Sequence, residues 1–141
     1  MDLDDALAFV RSTPRAVLAT VRGDGRPQLS NVLQHTGEDG VVRVSITATR
    51  AKYANLRRRP WAALHVTSED FWRYAVLEGP VELSAEAADD DAVVEELVAL
   101  YRALSGEHPD WAEYRRTMVA DRRVVARLRP ERAYGLLLRA G

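Results

Sequence analysis

The chain has 141 residues, of which 47% are hydrophobic and 29% are charged, and its formal net charge at pH 7 is −1. This composition predicts a single globular domain over residues 1–141, and the near-neutral charge argues against binding to bulk nucleic acid. The absence of cysteine excludes disulfides, thiolate metal sites and cysteine nucleophiles.

The N-terminal segment, MDLDD, is acidic and lacks the basic region of a signal peptide, and no apolar run approaches the length of a membrane span. We therefore expect a cytoplasmic protein that does not interact with membranes. Apolar residues at helical spacing then predict a short amphipathic helix over residues 2–11, which ends before Pro14. Three predicted strands follow, joined by glycine-containing turns, at residues 16–21, 29–33 and 41–46.

The second half of the chain alternates between strand and helix patterns. Residues 61–66 and Tyr74–Leu83 read as strands, and Gly79-Pro80 within the latter indicates an edge strand or a bulge. Helices are predicted over 88–103, behind the acidic run 89–91, and over 110–121, and strands over 124–128 and 134–138. Many short strands with added helices predict a mainly β fold, an antiparallel β-barrel decorated by helices.

The only lysine, Lys52, lies at the start of a short predicted helix that ends at Pro60. Thr47 or Thr49 is expected to cap this helix, with Ala51, Ala54 and Leu56 on its apolar side. Arg50 and Lys52 conflict with this position, because a cation near exposed N–H groups costs roughly 0.3–1 kcal/mol. A bound phosphate or carboxylate would remove the conflict, so the turn before the helix is predicted to bind an anion.

No metal centre is predicted. His35 and His65 fall on predicted strands and His108 in a loop between helices, and no pair has the spacing of metal ligands. The acidic run at residues 89–91 lacks the glycine and terminal glutamate of a calcium loop, so we interpret it as the N-terminal cluster of a helix.

The chain carries DGRPQLSNV at residues 24–32, RAK at 50–52 and NLRR at 55–58. In this order and spacing the three segments resemble the pyridoxamine-phosphate-oxidase-like split-barrel family of flavin and deazaflavin proteins. Residues 100–111, LYRALSGEHPDW, and 121–124, DRRV, are similar to the actinobacterial branch whose members use coenzyme F420, a deazaflavin. The likeness covers nearly the whole chain and implies an FMN-binding type of split β-barrel.

The resemblance also implies a homodimer with two cofactor sites at the subunit interface. The cofactor ring would lie against the second and third predicted strands, and its phosphate or acidic tail would lie on Arg50 and Lys52, with Arg122 or Arg129 as further contacts. The implied cofactor-binding residues are Gln28, Ser30, Asn31, Val32, Ser45, Ile46, Thr47, Thr49, Arg50 and Lys52, together with Trp72 and Tyr74, which would cover the site from the partner subunit.

The function implied by the resemblance is an oxidoreductase in which reduced F420 passes a hydride to an electron-poor organic molecule. The redox chemistry would belong to the cofactor, so no catalytic acid–base pair is required and no catalytic residue is assigned. One alternative is an FMN-dependent oxidase of pyridoxine or pyridoxamine phosphate, although residues 134–141 lack that enzyme's terminal arginine and histidine arrangement. Another alternative is a carrier or sensor that binds deazaflavin without turnover.

Overall fold

A computed structural model describes residues 1–89 and 91–137, which form four helices and eight strands. The helices are α1 Leu3–Arg11, α2 Ala51–Arg58, α3 Ala92–Ser105 and α4 Trp111–Ala120. The strands are β1 Arg15–Val21, β2 Pro27–Leu33, β3 His35–Thr36, β4 Val42–Thr47, β5 Trp61–Thr67, β6 Tyr74–Leu83, β7 Arg123–Leu128 and β8 Arg132–Leu136. Of the predicted features, Asp90 in the acidic run and positions 138–141 lie outside the described residues.

All the strand pairs are antiparallel, and the strands form one curled sheet in the order β2-β1-β5-β6-β7-β4-β3, with β8 added on β6. Hairpins join β1 to β2 and β3 to β4, as the turn signals predict, and a further hairpin joins β5 to β6. The sheet curls into a half-barrel with helices at its margins. The predicted mainly β split barrel is therefore confirmed.

Strand β6 is where the sheet divides. It pairs with β5 along residues 74–80, whereas its other side pairs first with β8, over residues 74–78, and then with β7, over 81–83. The prediction of an edge or a bulge at Gly79-Pro80 is thus wrong, because β6 lies inside the sheet and changes partner there. A Cβ at Gly79 would lie 2.3 Å from the carbonyl oxygen of Arg129, so the change of partner requires glycine.

The core has two parts that share strand β7. Inside the half-barrel, apolar side chains from the sheet, such as Ile46, Leu64 and Val124, pack with the buried side of α1. On the other face of β7, Val125 packs against α3 and α4. Successive side chains of β7 point to opposite faces of the sheet. Burial of both faces therefore requires α3 and α4 as a second layer.

Helix caps set where the first and third helices begin. The side chain of Asp2 accepts hydrogen bonds from the N–H groups of Asp4 and Asp5, which starts α1 at Leu3, close to the predicted boundary. Asp91 accepts from the N–H of Val94, so α3 begins at Ala92, four residues later than predicted. The acidic run is therefore confirmed as a helix start, because one of its carboxylates is the N-cap.

A group of charged side chains ties α3 to the outer face of the sheet. Arg43 on β4 lies directly opposite Arg127 on β7, an arrangement that is unfavourable by itself. Glu96 on α3 accepts hydrogen bonds from both guanidinium groups, at 3.3 Å from Arg43 Nε and 2.9 Å from Arg127 Nε. Arg127 also pairs with Glu82 at 2.6 Å. The hydrogen bond from Arg127 is the main reason that the pKa of Glu96 lies below its usual range.

We expect Glu96→Gln to lower the free energy of unfolding at pH 7 by about 1–2 kcal/mol, because two arginines lose their shared carboxylate. A lowered folded-state pKa gives stability that is present above the unfolded-state pKa, about 4.3 for glutamate, and is lost as the pH falls through the folded-state value. The wild type should therefore lose more stability than the variant between neutral and acidic pH.

Urea unfolding at stepped pH measures this difference. Glu38→Gln, a substitution on an exposed turn, is the control and should match the wild type. Equal stability of Glu96→Gln and wild type at pH 7 would contradict the tethering role of Glu96.

Candidate functional site

The site lies in the gap between strands β2 and β4. Within the described chain, β2 pairs with β1 on one side only, and β4 pairs with β3 only at Val42 and Arg43. The remaining edges of the two strands approach each other and are not joined by a ladder. Unpaired strand edges offer N–H and C=O groups to a ligand, so this gap is a candidate cleft.

Helix α2 begins differently from the prediction. Its N-cap residue is Arg50, which provides no side-chain hydrogen bond, so the predicted capping by Thr47 or Thr49 is wrong. Thr47 instead contributes its carbonyl oxygen, which accepts from the N–H of Arg50 at 3.0 Å. The start of this helix therefore has no carboxylate or hydroxyl cap on its N–H groups, in contrast to the starts of α1 and α3.

The buried side of α2 is only partly the predicted one. Leu56 is buried as predicted, whereas Ala51 and Ala54 are exposed and Asn55 is buried in their place. The amide of Asn55 donates to the hydroxyl of Thr20 at 3.2 Å and to Gln28 Oε1 at 2.8 Å, and its oxygen accepts from Arg58. Asn55 thus joins α2 to the first hairpin, and its buried amide is satisfied by these bonds.

Three cations surround the cleft: Arg50, Lys52 and Arg123. Burial, followed by the nearby charges of Arg50 and Arg123, lowers the pKa of Lys52. In the part of the chain that the structure describes, Arg50 and Lys52 form no ion pair with a carboxylate. Like charges held together without an acid are unfavourable, and a bound anion would stabilise the cluster.

Arg123 is only partly satisfied by its neighbours. Its Nη1 group donates to the hydroxyl of Ser45 at 3.5 Å, and its contact with Asp121 is long, at 4.0 Å. Its Nε group is buried and has no hydrogen-bond partner. The long hydrogen bond to Ser45 and the long contact with Asp121 are weak, so the guanidinium of Arg123, which lines the cleft, can also donate to a ligand with an acceptor.

Two adjoining pockets occupy the cleft, and Lys52 lines both of them. The smaller pocket has a volume of about 200 Å³ and is lined by Gln28, Ser30, Arg50, Ala51 and Lys52. The larger groove has a volume of about 430 Å³ and extends from the two strands to the helical pair. Together they could hold a ligand that carries an anionic group and a flat body.

The structure brings together seven of the twelve predicted cofactor residues, which line one or both pockets: Gln28, Ser30, Asn31, Val32, Ser45, Arg50 and Lys52. The side chain of Ile46 lies in the core, 1% exposed, so only its backbone could contact a ligand. Thr47 ends β4 and Thr49 lies in the turn beyond it, outside both linings. The cofactor-binding role of each residue stays a prediction.

Trp72 and Tyr74 lie away from the cleft of their own chain. Trp72 is 62% exposed in the turn between β5 and β6, and Tyr74 packs against His65 with ring centroids 5.6 Å apart. Both were predicted to cover the site of a partner subunit, and this role stays a prediction.

Sequence reasoning missed the helical side of the groove and Arg123. The additional lining residues include Leu100, Tyr101, Leu104, Tyr114 and Met118. Arg122, one of the two arginines predicted to reach the cofactor tail, instead pairs with Glu86 at 2.6 Å. The period of two along β7 separates Arg123 from Arg122 and could have identified it, because Arg123 shares a face with Val125 and Arg127.

No group of three or more histidine and carboxylate side chains among residues 1–89 and 91–137 could hold a metal ion. Over the same residues, no helix has the length and apolar character needed to cross a membrane.

Comparisons with known proteins agree with this fold. The sequence profile of the pyridoxamine 5'-phosphate oxidase family matches residues 3–137. An F420 reductase of known structure is 25% identical, with a TM-score of 0.70, over 89% of this chain and 94% of the other. A conserved hypothetical protein of Mycobacterium tuberculosis is 24% identical, with a TM-score of 0.74, over 96% and 84% of the two chains. A heme-binding protein of Mycobacterium smegmatis is 19% identical, with a TM-score of 0.70, over 95% and 53%.

We expect inorganic pyrophosphate to raise the thermal unfolding midpoint of the wild type, because an anion that binds only the folded state stabilises it. Lys52→Ala should reduce this increase without destabilising the free protein, since it removes both an anion contact and a repulsive charge. Scanning calorimetry at matched ionic strength makes the measurement. Arg59→Ala, at the other end of α2, should respond like the wild type; an equal response from Lys52→Ala would show that the anion binds elsewhere.

Proposed function

The chain belongs to the pyridoxamine 5'-phosphate oxidase family, and on that premise we propose that it is a coenzyme F420-dependent oxidoreductase acting on a small organic molecule. The observation that carries the proposal is the cluster of Arg50 and Lys52, which borders a cleft between open strand edges and has no carboxylate partner among the described residues. Such a cluster requires an anionic ligand, and F420 carries a phosphate and an acidic tail.

The residues around the smaller pocket fit a phosphate. Arg50 and Lys52 supply the charge, and the hydroxyl of Ser30 supplies a further donor. Gln28 Oε1 already accepts from Asn55, which leaves its amide nitrogen oriented as a donor. We therefore propose that these residues hold the phosphate of the cofactor.

The remaining predicted residues would hold the flat part of the cofactor. In this proposal Asn31, Val32 and Ser45 contact the ring, and the backbone from Ile46 to Thr49 contacts the chain that joins ring and phosphate. The chemistry that reduced F420 supplies when bound is the transfer of a hydride to an electron-poor carbon. The residues of this chain then need to orient the reactants and to balance charge, and no acid–base pair of their own is required.

The choice of F420 over FMN is supported by the F420 reductase, the one of these three compared structures that reaches 25% identity. The two alternative functions that the experiments below test are an FMN-dependent oxidase and a carrier that binds the cofactor without turnover.

We also propose that the protein acts as a homodimer through the outer face of its sheet. Aligned residues across five strands form a row on this face: Asn31, Val17, His65, Val76 and Tyr134. Beside this row lie the exposed apolar side chains Leu29, Leu33, Leu136, Phe71 and Trp72. A large apolar face of this kind is typical of a protein–protein interface. Because Asn31 lies at one end of the row, a second copy on this face would be close to the cleft.

The dimer predicts twice the chain mass in light scattering at micromolar concentration. Leu29→Arg and Leu136→Arg place charges on the exposed face and should shift the protein toward monomer, whereas Glu38→Gln, on an exposed turn, should not. A wild-type monomer that still binds cofactor would contradict this part of the proposal.

Titration of the purified protein tests the cofactor assignment. F420 should bind more tightly than FMN, with an affinity that falls as salt is raised. Arg50→Ala and Lys52→Ala should each weaken F420 binding by about tenfold or more, since each removes a charge-assisted hydrogen bond. Arg59→Ala is the matched control.

Steady-state reduction of an electron-poor acceptor by reduced F420 then separates an enzyme from a carrier. Copurified FMN whose reduced form is rapidly reoxidised by oxygen would replace the proposal with the oxidase. Tight F420 binding without turnover of any acceptor would favour the carrier.

A further inference from the structure

The larger groove has two unlike walls. One wall consists of strand and α2 residues and is polar and positive, with Ser45, Lys52 and Arg123. The other wall is the inner side of α3 and α4, where Leu100, Leu104 and Met118 present apolar side chains. No aspartate or glutamate among the described residues lines the groove.

The helical wall is held firmly by aromatic packing. Tyr101, His108, Trp111 and Tyr114 form a mutual cluster whose ring centroids lie 5.0–5.6 Å apart. The hydroxyl of Tyr114 donates to the carbonyl oxygen of Leu97 at 3.0 Å, which fixes α4 to α3. Tyr101 and Tyr114 also line the groove, so the cluster offers aromatic surface to a ligand.

The smaller pocket and the larger groove differ in what they can bind. The pocket at Gln28, Ser30 and Arg50 is lined by polar side chains except for Ala51 and suits a phosphate. The groove combines a partly unsatisfied guanidinium with an apolar and aromatic wall. The acidic tail of the cofactor would bury no apolar surface against such a wall. A ring that bears one acid group can instead pack on the apolar wall and place its acid on the guanidinium.

We propose that the α3–α4 side of this groove, beside the strand side that the proposed function gives to the cofactor ring, binds the organic substrate of the enzyme. The substrate in this proposal is an aromatic carboxylic acid, with its carboxylate on Arg123 and its ring against the α3–α4 wall. The identification of this ligand as a substrate rests on the proposed function, whereas the existence of the binding site does not. The volume of about 430 Å³ lies within the range of small-molecule sites. Arg123 is then the residue that selects acids over neutral aromatic molecules.

Isothermal calorimetry with 2-naphthoate and with the neutral 2-naphthalenemethanol tests the proposal on the purified protein without added cofactor. We expect saturable binding of the acid, with an affinity about tenfold or more above that of the alcohol, because only the acid forms a charge-assisted hydrogen bond. Equal affinities, or no saturable binding of naphthoate, would overturn the proposal.

Two substitutions separate the two walls. Arg123→Gln should reduce the affinity for naphthoate to that for the alcohol and leave alcohol binding unchanged. Leu104→Gln should weaken both ligands by a similar factor. Arg122→Gln is the matched control, because its guanidinium pairs with Glu86 outside the groove. Equal losses in Arg122→Gln and Arg123→Gln would show a general charge effect and overturn the assignment to Arg123.

Repeating the titration with saturating F420 distinguishes substrate from cofactor. Undiminished naphthoate binding supports the proposal, and competitive displacement by the cofactor would overturn it. If neither F420 nor FMN binds, the proposed function fails, and the comparison of naphthoate with its alcohol alone decides whether the groove accepts aromatic acids.

Discussion

The exchange of partners along β6 is the constraint on which the rest of the structure depends. Because β6 passes from β8 to β7 at Gly79, the sheet cannot close as a simple barrel, and the edges of β2 and β4 are left facing each other. Both pockets lie in the resulting gap. Replacing Gly79 by any larger residue would therefore disturb the sheet, because a Cβ there would meet the backbone of Arg129 and Glu131.

Charge pairing divides the cations of the described chain into two groups. Several arginines meet carboxylates, as Arg43 and Arg127 meet Glu96 and as Arg122 meets Glu86. These pairs contribute modestly to stability but leave little unbalanced charge. The cations at the start of α2 have no such partner, and the helix dipole adds to their charge. The fold thus pairs several arginines with carboxylates and leaves Arg50 and Lys52 available to an anion.

Local patterns predicted most of the strands within a residue or two, because alternation and turn glycines are short-range signals. The same reasoning failed at α2, where the backbone carbonyl of Thr47 is used and its hydroxyl is not. It also failed to distinguish Arg123 from Arg122, since the packing of α3 on β7 decides which one points into the groove. The cation site was predictable from charge and position, whereas the apolar wall depends on contacts between segments far apart in sequence.

The helical pair leaves the sheet and returns to it at neighbouring points. Leu83 at the end of β6 lies opposite Ala126 on β7, and the N–H of Ser84 bonds to the carbonyl oxygen of Val125 at 2.9 Å. The two ends of the segment between β6 and β7 are thus held together by the pairing of these strands. The register of that pairing does not depend on α3 and α4. Insertions into residues 85–121, or their replacement by another segment that covers Val125, can consequently diversify the groove during evolution while Arg50 and Lys52, at the start of α2, remain as they are.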